Sequence, residues 1–517
     1  MTISDNPLNR RRFLSGAASI GAGVAASTFL GRSAAAADTP RKGGELIVGI
    51  DGGGSADSLD PAFNLNKYLF VASGLFYNNL IEADDQNKLQ PSLALSWAPQ
   101  SNGAVWVVKL RPGVQFHNGK TLTPADVIYS FNHHRGADSK SAAKALLEPV
   151  KEILASAPDE VTFVLTAPNV TFPYILTEFH LVIGPEGGSF TDAVGTGAFI
   201  LEKFEPGIRI LAKRNPNYWD SSRGHVDSVK LLVINDSTAR LNALQTGQIH
   251  IANNIEPKLV ALLEKNPKLQ IFSTPSSAHD SFPLKSDSAP FDNNDLRLAL
   301  KYAIDRQELV TQILSGHGRV GNDSPISDVD PYFAAGLPRH SYDPDKAKFL
   351  YKKSGHDGPL VLTVSEAGFP GAIDAGQLFQ ASAGKAGIDI QLERAPVDGY
   401  YDNYWLKRPF FVSSWNGRLT PDLMFSTAYI SSAPWNESSW KRPDFDKLII
   451  AARAELDDAK RKQLYYEAQA LVSAEGGEII PVFNNYIMGV STKLKGFYPS
   501  YAGDFSNRRA AERVWFA

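Results

Sequence analysis

No single hydrophobic core accommodates 517 residues, and this property constrains the chain more than any motif in it. At least two packed lobes are required. No repeat of fixed period and no long Gly/Ser or Pro linker interrupts the sequence, so the lobes are expected to share chain crossings instead of hanging on a tether. Beyond the N-terminal segment, no apolar run is long enough to span a bilayer. The chain has no cysteine, which excludes a thiol nucleophile, a thiolate metal site and a lipid-attachment cysteine.

The N-terminus carries an export signature. Asn9-Arg10-Arg11-Arg12-Phe13-Leu14-Ser15 resembles the twin-arginine motif, with Asn9 where Ser or Thr usually stands. A mildly apolar stretch at 16–30 follows, then Arg32 and the small-residue run Ala34-Ala35-Ala36-Ala37. This order predicts a signal peptide over 1–37, cleaved near Ala37, and a periplasmic destination reached by an already folded chain. Removing 1–37 takes away four arginines and one aspartate and moves the net charge from −3 to −6. A broad attraction to nucleic acid or anionic lipid is not expected of that balance.

Short β-like and helical stretches alternate along the rest of the chain, which predicts an α/β construction. Residues 46–50, 106–110, 161–165, 208–213 and 229–234 read as strands bounded by turn residues. A helix is expected after Asp236 with Gly247 as its stop, and another behind Asn294 or Asp295, carrying Leu296, Ala299, Leu300, Ala303 and Ile304 and closed by Gly316. Asp343-Pro344 predicts a capped helix start with Gly355 at the end, and 458–474 a further helix. These features build cores and identify no function.

Several blocks in order resemble the peptide/nickel class of extracytoplasmic solute-binding proteins, family 5. They are the 89–97 stretch Leu-Gln-Pro-Ser-Leu-Ala-Leu-Ser-Trp, the 110–127 stretch from Leu110-Arg111-Pro112-Gly113 to Asp126-Val127, and Gly195-Thr196-Gly197-Ala198-Phe199. Arg214-Asn215-Pro216-Asn217-Tyr218-Trp219, the 239–247 stretch and Ala299 to Arg306 complete the set. The resemblance implies a two-lobe periplasmic binding protein (type II, cluster C-like) with an extra subdomain in the first lobe. Lobe I would take 38–278 plus 481–517, with the accessory subdomain at about 86–190, and lobe II 279–480. It further implies a monomer without catalytic activity or cofactor that captures a peptide or peptide-like solute between its lobes. The solute would pass to the permease subunits of an ABC importer in the inner membrane, and lobe closure would signal occupancy.

Most shared blocks read as structural. Pro112-Gly113 suits a tight turn, Thr123-Pro124 a helix start. Gly195-Thr196-Gly197 lacks the third glycine of a phosphate loop, with Ile200 in its place, and reads as a backbone turn. Ligand contacts are expected on loops: Ser58 after the first strand, then Trp415, Asn416, Arg418 and Asp422 in the second lobe, with Trp435 from the aromatic supply of Tyr400, Tyr401, Tyr404, Trp405 and Trp440. Dipeptide-binding relatives carry an aspartate-rich stretch at 415–422, where one aspartate pairs with the peptide amine. Here Arg418 brings a positive charge and only Asp422 remains, so a two-pronged contact to a carboxylate or phosphate competes with an ion pair between Arg418 and Asp422. Trp415 either stacks on ligand or packs beneath its loop. An opine, an oligosaccharide or another anionic solute therefore stands beside a peptide. A periplasmic hydrolase or a chaperone-like peptide binder are the other classes, but there is no GxSxG elbow, HExxH motif or Walker A loop. His133-His134 lacks further ligands at metal spacing and reads as an exposed helix or loop feature; no metal site is expected.

Overall fold

A computed structural model describes residues 39–64 and 66–517, so the export segment expected at 1–37 lies outside the described residues. Along the chain come β1 (Glu45–Ile50), α1 (Lys67–Phe76), β2 (Ala94–Gln100), β3 (Val105–Leu110), α2 (Pro124–His133), β4 (Val150–Ala157) and β5 (Glu160–Leu165). Next are β6 (Phe199–Glu205), β7 (Arg209–Arg214), β8 (Ser228–Val233), α3 (Ser237–Thr246), β9 (Ile251–Ala252) and β10 (Leu269–Pro283). The second half holds α4 (Asn294–Ala303), α5 (Arg306–Gln312), β11 (Gly318–Val320), α6 (Pro344–Ser354), β12 (Leu360–Val364), α7 (Ala372–Gly384), β13 (Ile390–Arg394) and β14 (Ser413–Trp415). It closes with α8 (Pro421–Ala428), α9 (Pro443–Ala454), α10 (Asp458–Glu475) and β15 (Glu478–Ser491).

The principal sheet runs β14-β10-β15-β9-β1-β8-β7-β6, with β11 on β15. β1 pairs parallel with both neighbours and is buried through most of its length, which explains its unbroken apolar run. β10 and β15 are the chain crossings. Their outer halves pair at 269–275 with 485–491 and supply Leu269, Ile487, Met488 and Val490 to cores that also hold β1 and α3 residues. Beyond the irregularity between Pro275 and His279, the same strands supply Phe282, Ile479 and Val482 to a core built with α4 and α7. A four-stranded antiparallel sheet, β2-β3-β5-β4, carries α2 and a core of its own around Val108, Phe131 and Phe163. Another core packs α8, α9 and α10 around Phe425, Phe445 and Tyr465.

Local chemistry accounts for most boundaries. α3 has Asp236 as its cap and ends on Gly247 at φ 77°; α6 starts on Asp343-Pro344 and ends on Gly355 at φ 72°. Thr123 opens α2 with its backbone N–H and hydroxyl both donating to Asp126 at 2.8 Å. The helix expected to continue to Gly316 instead stops at Ala303. Ile304 is extended, and Asp305 restarts the chain by accepting from the Glu308 N–H. The break lets Arg306 turn inward, where its guanidinium grips the Asp323 carboxylate at 2.8 and 2.9 Å. Helical periodicity alone could not register that demand.

Candidate functional site

The loop that leaves β14 is the centre of the site. β14 pairs with β10 through His279↔Trp415 and Ser281↔Ser413. Asn416 to Leu419 then pass so close to the crossing strand that a Cβ on Gly417 would lie 3.0 Å from Ser277 Cβ. Thr420 ends the loop by accepting from the Leu423 N–H, with Pro421 in the first turn of α8.

Arg418 stands half-buried on this loop. Its Nη1 reaches only its own loop carbonyls, Asn416 at 3.2 Å and Gly417 at 3.4 Å, and its guanidinium lies 5.9 Å from the Trp415 ring centroid. No carboxylate comes within ion-pair distance of it among the described residues. Burial lowers its pKa, opposed by the charge of Glu178 and by Tyr486. The ion pair weighed as its alternative partner is made elsewhere: buried Asp422 takes Arg453, with Nη2 at 2.9 Å and Nε at 3.0 Å. Asp422 also accepts from Thr171 at 3.4 Å, and the Val170 N–H donates to the Arg453 carbonyl at 2.8 Å. With Asn87 donating to the Leu419 carbonyl, these contacts close the 87–171 region onto the 419–453 region.

The six candidate residues do not all converge. Trp415 is 8 % exposed and packs with Met424 and Phe425, while Asn416 is exposed at the loop tip. Trp435 is 45 % exposed, its ring 6.0 Å from that of Trp415. Ser58 lies in a separate loop and accepts from the Asp60 N–H at 3.2 Å. Of the other aromatics, Tyr400 and Trp440 are core residues. The histidine pair is not the exposed feature expected. His134 is fully buried, with Nδ1 2.6 Å from Ser141 Oγ and its pKa pushed down to about 3 by burial and by His133; His133 Nε2 meets Asp60 at 2.7 Å. Among the described residues, no group of three or more His, Asp and Glu could hold a metal ion.

Sequence reasoning missed three contributors. Glu178 faces Arg418 electrostatically and is held by His180 Nδ1 at 3.0 Å, whose Nε2 meets the Asn64 carbonyl at 2.9 Å. Tyr486, on the crossing strand β15, borders a small pocket lined also by Phe272, Met488 and Asp504. Lys67, opening α1, binds Asp504 at 2.9 Å and lies 6.0 Å from the Tyr486 ring. No local motif marks any of them, because each comes from a different segment of the chain.

The sequence profile described as "Bacterial extracellular solute-binding proteins, family 5 Middle" matches residues 88–437. The glutathione-binding protein GsiB of Pectobacterium atrosepticum is 26 % identical over 474 residues, covering 86 % of this chain and 90 % of its own. Among solved structures, the periplasmic binding protein DppA of Helicobacter pylori, in complex with peptide STSA, superposes with a TM-score of 0.78 at 24 % identity, covering 92 % of this chain and 98 % of its own. AgaA of A. tumefaciens R10, in complex with agropinic acid, gives 0.79 at 21 % identity, covering 92 % and 99 %. The α/β fold with two lobes expected from the sequence is therefore the fold observed.

Proposed function

The chain belongs to the bacterial extracellular solute-binding proteins of family 5, and on that premise we propose that it captures an anionic peptide or peptide-like solute between its lobes for an ABC importer. The observation that carries this reading is Arg418, a half-buried guanidinium on the β14–α8 loop with carbonyl partners from its own loop and, among the described residues, no carboxylate within ion-pair distance. A cation so placed suits a carboxylate or phosphate that arrives with the ligand. The names of similar proteins, which include glutathione- and dipeptide-binding proteins and an agropinic acid complex, support solutes of this kind. Acidic peptides, opines and acidic oligosaccharides all meet the requirement.

The lobes in this reading are 38–278 plus 481–517 and 279–480, with an accessory subdomain at about 86–190. The protein is exported by the twin-arginine segment at 1–37, works as a monomer without catalysis, and docks on the permease when closed. A thermal-shift screen against peptides, opines, sugar acids and metals tests it. A ligand at 100 times its Kd stabilises the folded state by about 2.7 kcal/mol. Stabilisation by metals alone would overturn the proposal, and turnover of a bound peptide would replace it with a hydrolase.

A further inference from the structure

We propose that Trp435 is an aromatic platform for the ligand and Glu437 the buried carboxylate that positions it, so that the captured solute joins an acidic group to a flat aromatic or sugar ring. The inference rests on the capture reading above and narrows its ligand.

Trp405, Trp415 and Trp435 come from three separate segments, and one side chain binds the first two. Glu437 is 1 % exposed. Its Oε1 accepts from Trp405 Nε1 and from Ser413 Oγ, and its Oε2 accepts from Trp415 Nε1 at 2.9 Å. Two indoles are thereby fixed in orientation by hydrogen bonds to one buried carboxyl, whose pKa burial raises. The Trp435 ring neighbours both, 6.5 Å from Trp405 and 6.0 Å from Trp415 by centroid, yet it keeps nearly half its surface exposed. An isolated surface tryptophan would imply nothing. One that packs against two clamped rings is restrained on that side before a ligand arrives, so stacking on its open face demands less further ordering.

Arg418 supplies the second anchor. It lies 5.9 Å from the Trp415 centroid, so the guanidinium and the Trp435 ring are no farther apart than that step plus the next one of 6.0 Å. A carboxylate at Arg418 and a ring on Trp435 can therefore belong to one small molecule. Glu437 does not oppose the anion directly, since its oxygens face the indole N–H groups and the Ser413 hydroxyl.

The test titrates the protein calorimetrically with Gly-Gly-Trp, with Gly-Gly-Ala, with the C-terminal amide of Gly-Gly-Trp, and with glucuronate as the sugar acid. The wild type should prefer Gly-Gly-Trp to Gly-Gly-Ala and lose affinity for the amide. Trp435→Ala should weaken Gly-Gly-Trp about five- to tenfold, the scale of an aromatic pair, while Gly-Gly-Ala changes less than twofold. Trp435→Phe should restore most of the difference. Glu437→Gln should reproduce the selective loss and alter the near-ultraviolet dichroism of the indoles. Weakening of glucuronate by Trp435→Ala, with the peptides unaffected, would assign the platform to a sugar face. Equal losses for every probe, or none, would overturn the platform and leave capture standing. Failure of every probe to bind the wild type would overturn this inference, and the thermal-shift screen that includes opines then decides the capture reading separately.

Discussion

At the residue scale, the anion contact proposed for Arg418 is the part of the candidate site that one substitution tests most directly. A hydrogen bond to a charged partner contributes about 1.5–3 kcal/mol, so Arg418→Ala should weaken an acidic ligand by at least tenfold in calorimetric titration. The melting temperature of the ligand-free protein should change much less than the affinity, because Arg418 gives up only two loop-carbonyl bonds and a loose ring contact. Retained affinity would dismiss the contact. Asp280 offers an independent residue-level test. Burial pushes its carboxyl from 3.8 up to about 7, against a single side-chain bond from Asn484 at 2.8 Å. The folded chain then holds a proton that the unfolded chain has released, and stability falls as pH rises across that window. Asp280→Asn keeps an acceptor for Asn484 and removes the titration. Its melting temperature relative to wild type should climb between about pH 4 and pH 7 and then level off, as measured at constant ionic strength. A difference independent of pH would refute the assignment.

At the element scale, Gly195-Thr196-Gly197 shows how a short motif is read correctly for incomplete reasons. It is a backbone turn, as its missing third glycine suggests, but the structure supplies the physical demand. A Cβ on Gly195 would lie 2.1 Å from the Phe76 carbonyl oxygen, and one on Gly197 2.3 Å from that of Leu75. Both glycines let this turn abut the C-terminal end of α1, where the Gly197 N–H donates to Phe76 at 2.8 Å. Gly197→Ala should therefore destabilise by more than about 2 kcal/mol. Gly384→Ala, at the end of α7 with nothing within 4 Å of the added carbon, should be neutral or slightly stabilising. Chemical denaturation of the two variants side by side checks both, and equal effects would discard the close-approach argument.

At the scale of the whole molecule, buried charge ties segments that are remote in sequence. Glu82 meets Arg223 at 2.9 Å, Arg509 at 3.5 Å and Arg513 at 3.9 Å, and Arg223 also meets Glu512 at 2.6 Å. Burial alone would raise the Glu82 pKa, but the three arginines hold it well below the usual carboxylate range. The stabilisation is present above the unfolded pKa and is lost as pH falls through the folded one. Glu82→Leu leaves Arg223 and Arg509 to share Glu512 and removes the acid facing Arg513, and should cost about 3 kcal/mol. The loss should appear as one cooperative shift in far-ultraviolet and tryptophan-fluorescence melts, since the cluster joins the C-terminal segment to the first half of the chain. Two separated transitions would show that the cluster stabilises only its own neighbourhood.

The length, the alternating apolar runs and the capping residues are enough to establish an α/β chain that must divide, and to place the strands at 46–50, 106–110, 161–165, 208–213 and 229–234 within one residue of those observed. Asp236, Gly247, Asp343 and Gly355 act on their immediate neighbours, so their meaning is local and survives without a fold. The opposite holds for the site. Arg418 could be read as a cation, but whether Asp422 neutralised it depended on Arg453, 31 residues away on α9 and reached only through packing. Trp415 and Trp435 were visible as aromatic supply, yet Glu437, which binds the N–H of Trp415 and Trp405, sat in an unremarked stretch. The break at Ile304 followed from a buried ion pair that periodicity cannot carry. Sequence by itself determined the class of the fold, because backbone preference and solvent avoidance act along the chain. Only the tertiary structure decided which charges are paired and which remain for a ligand, because pairing depends on distances between segments that the chain order does not contain.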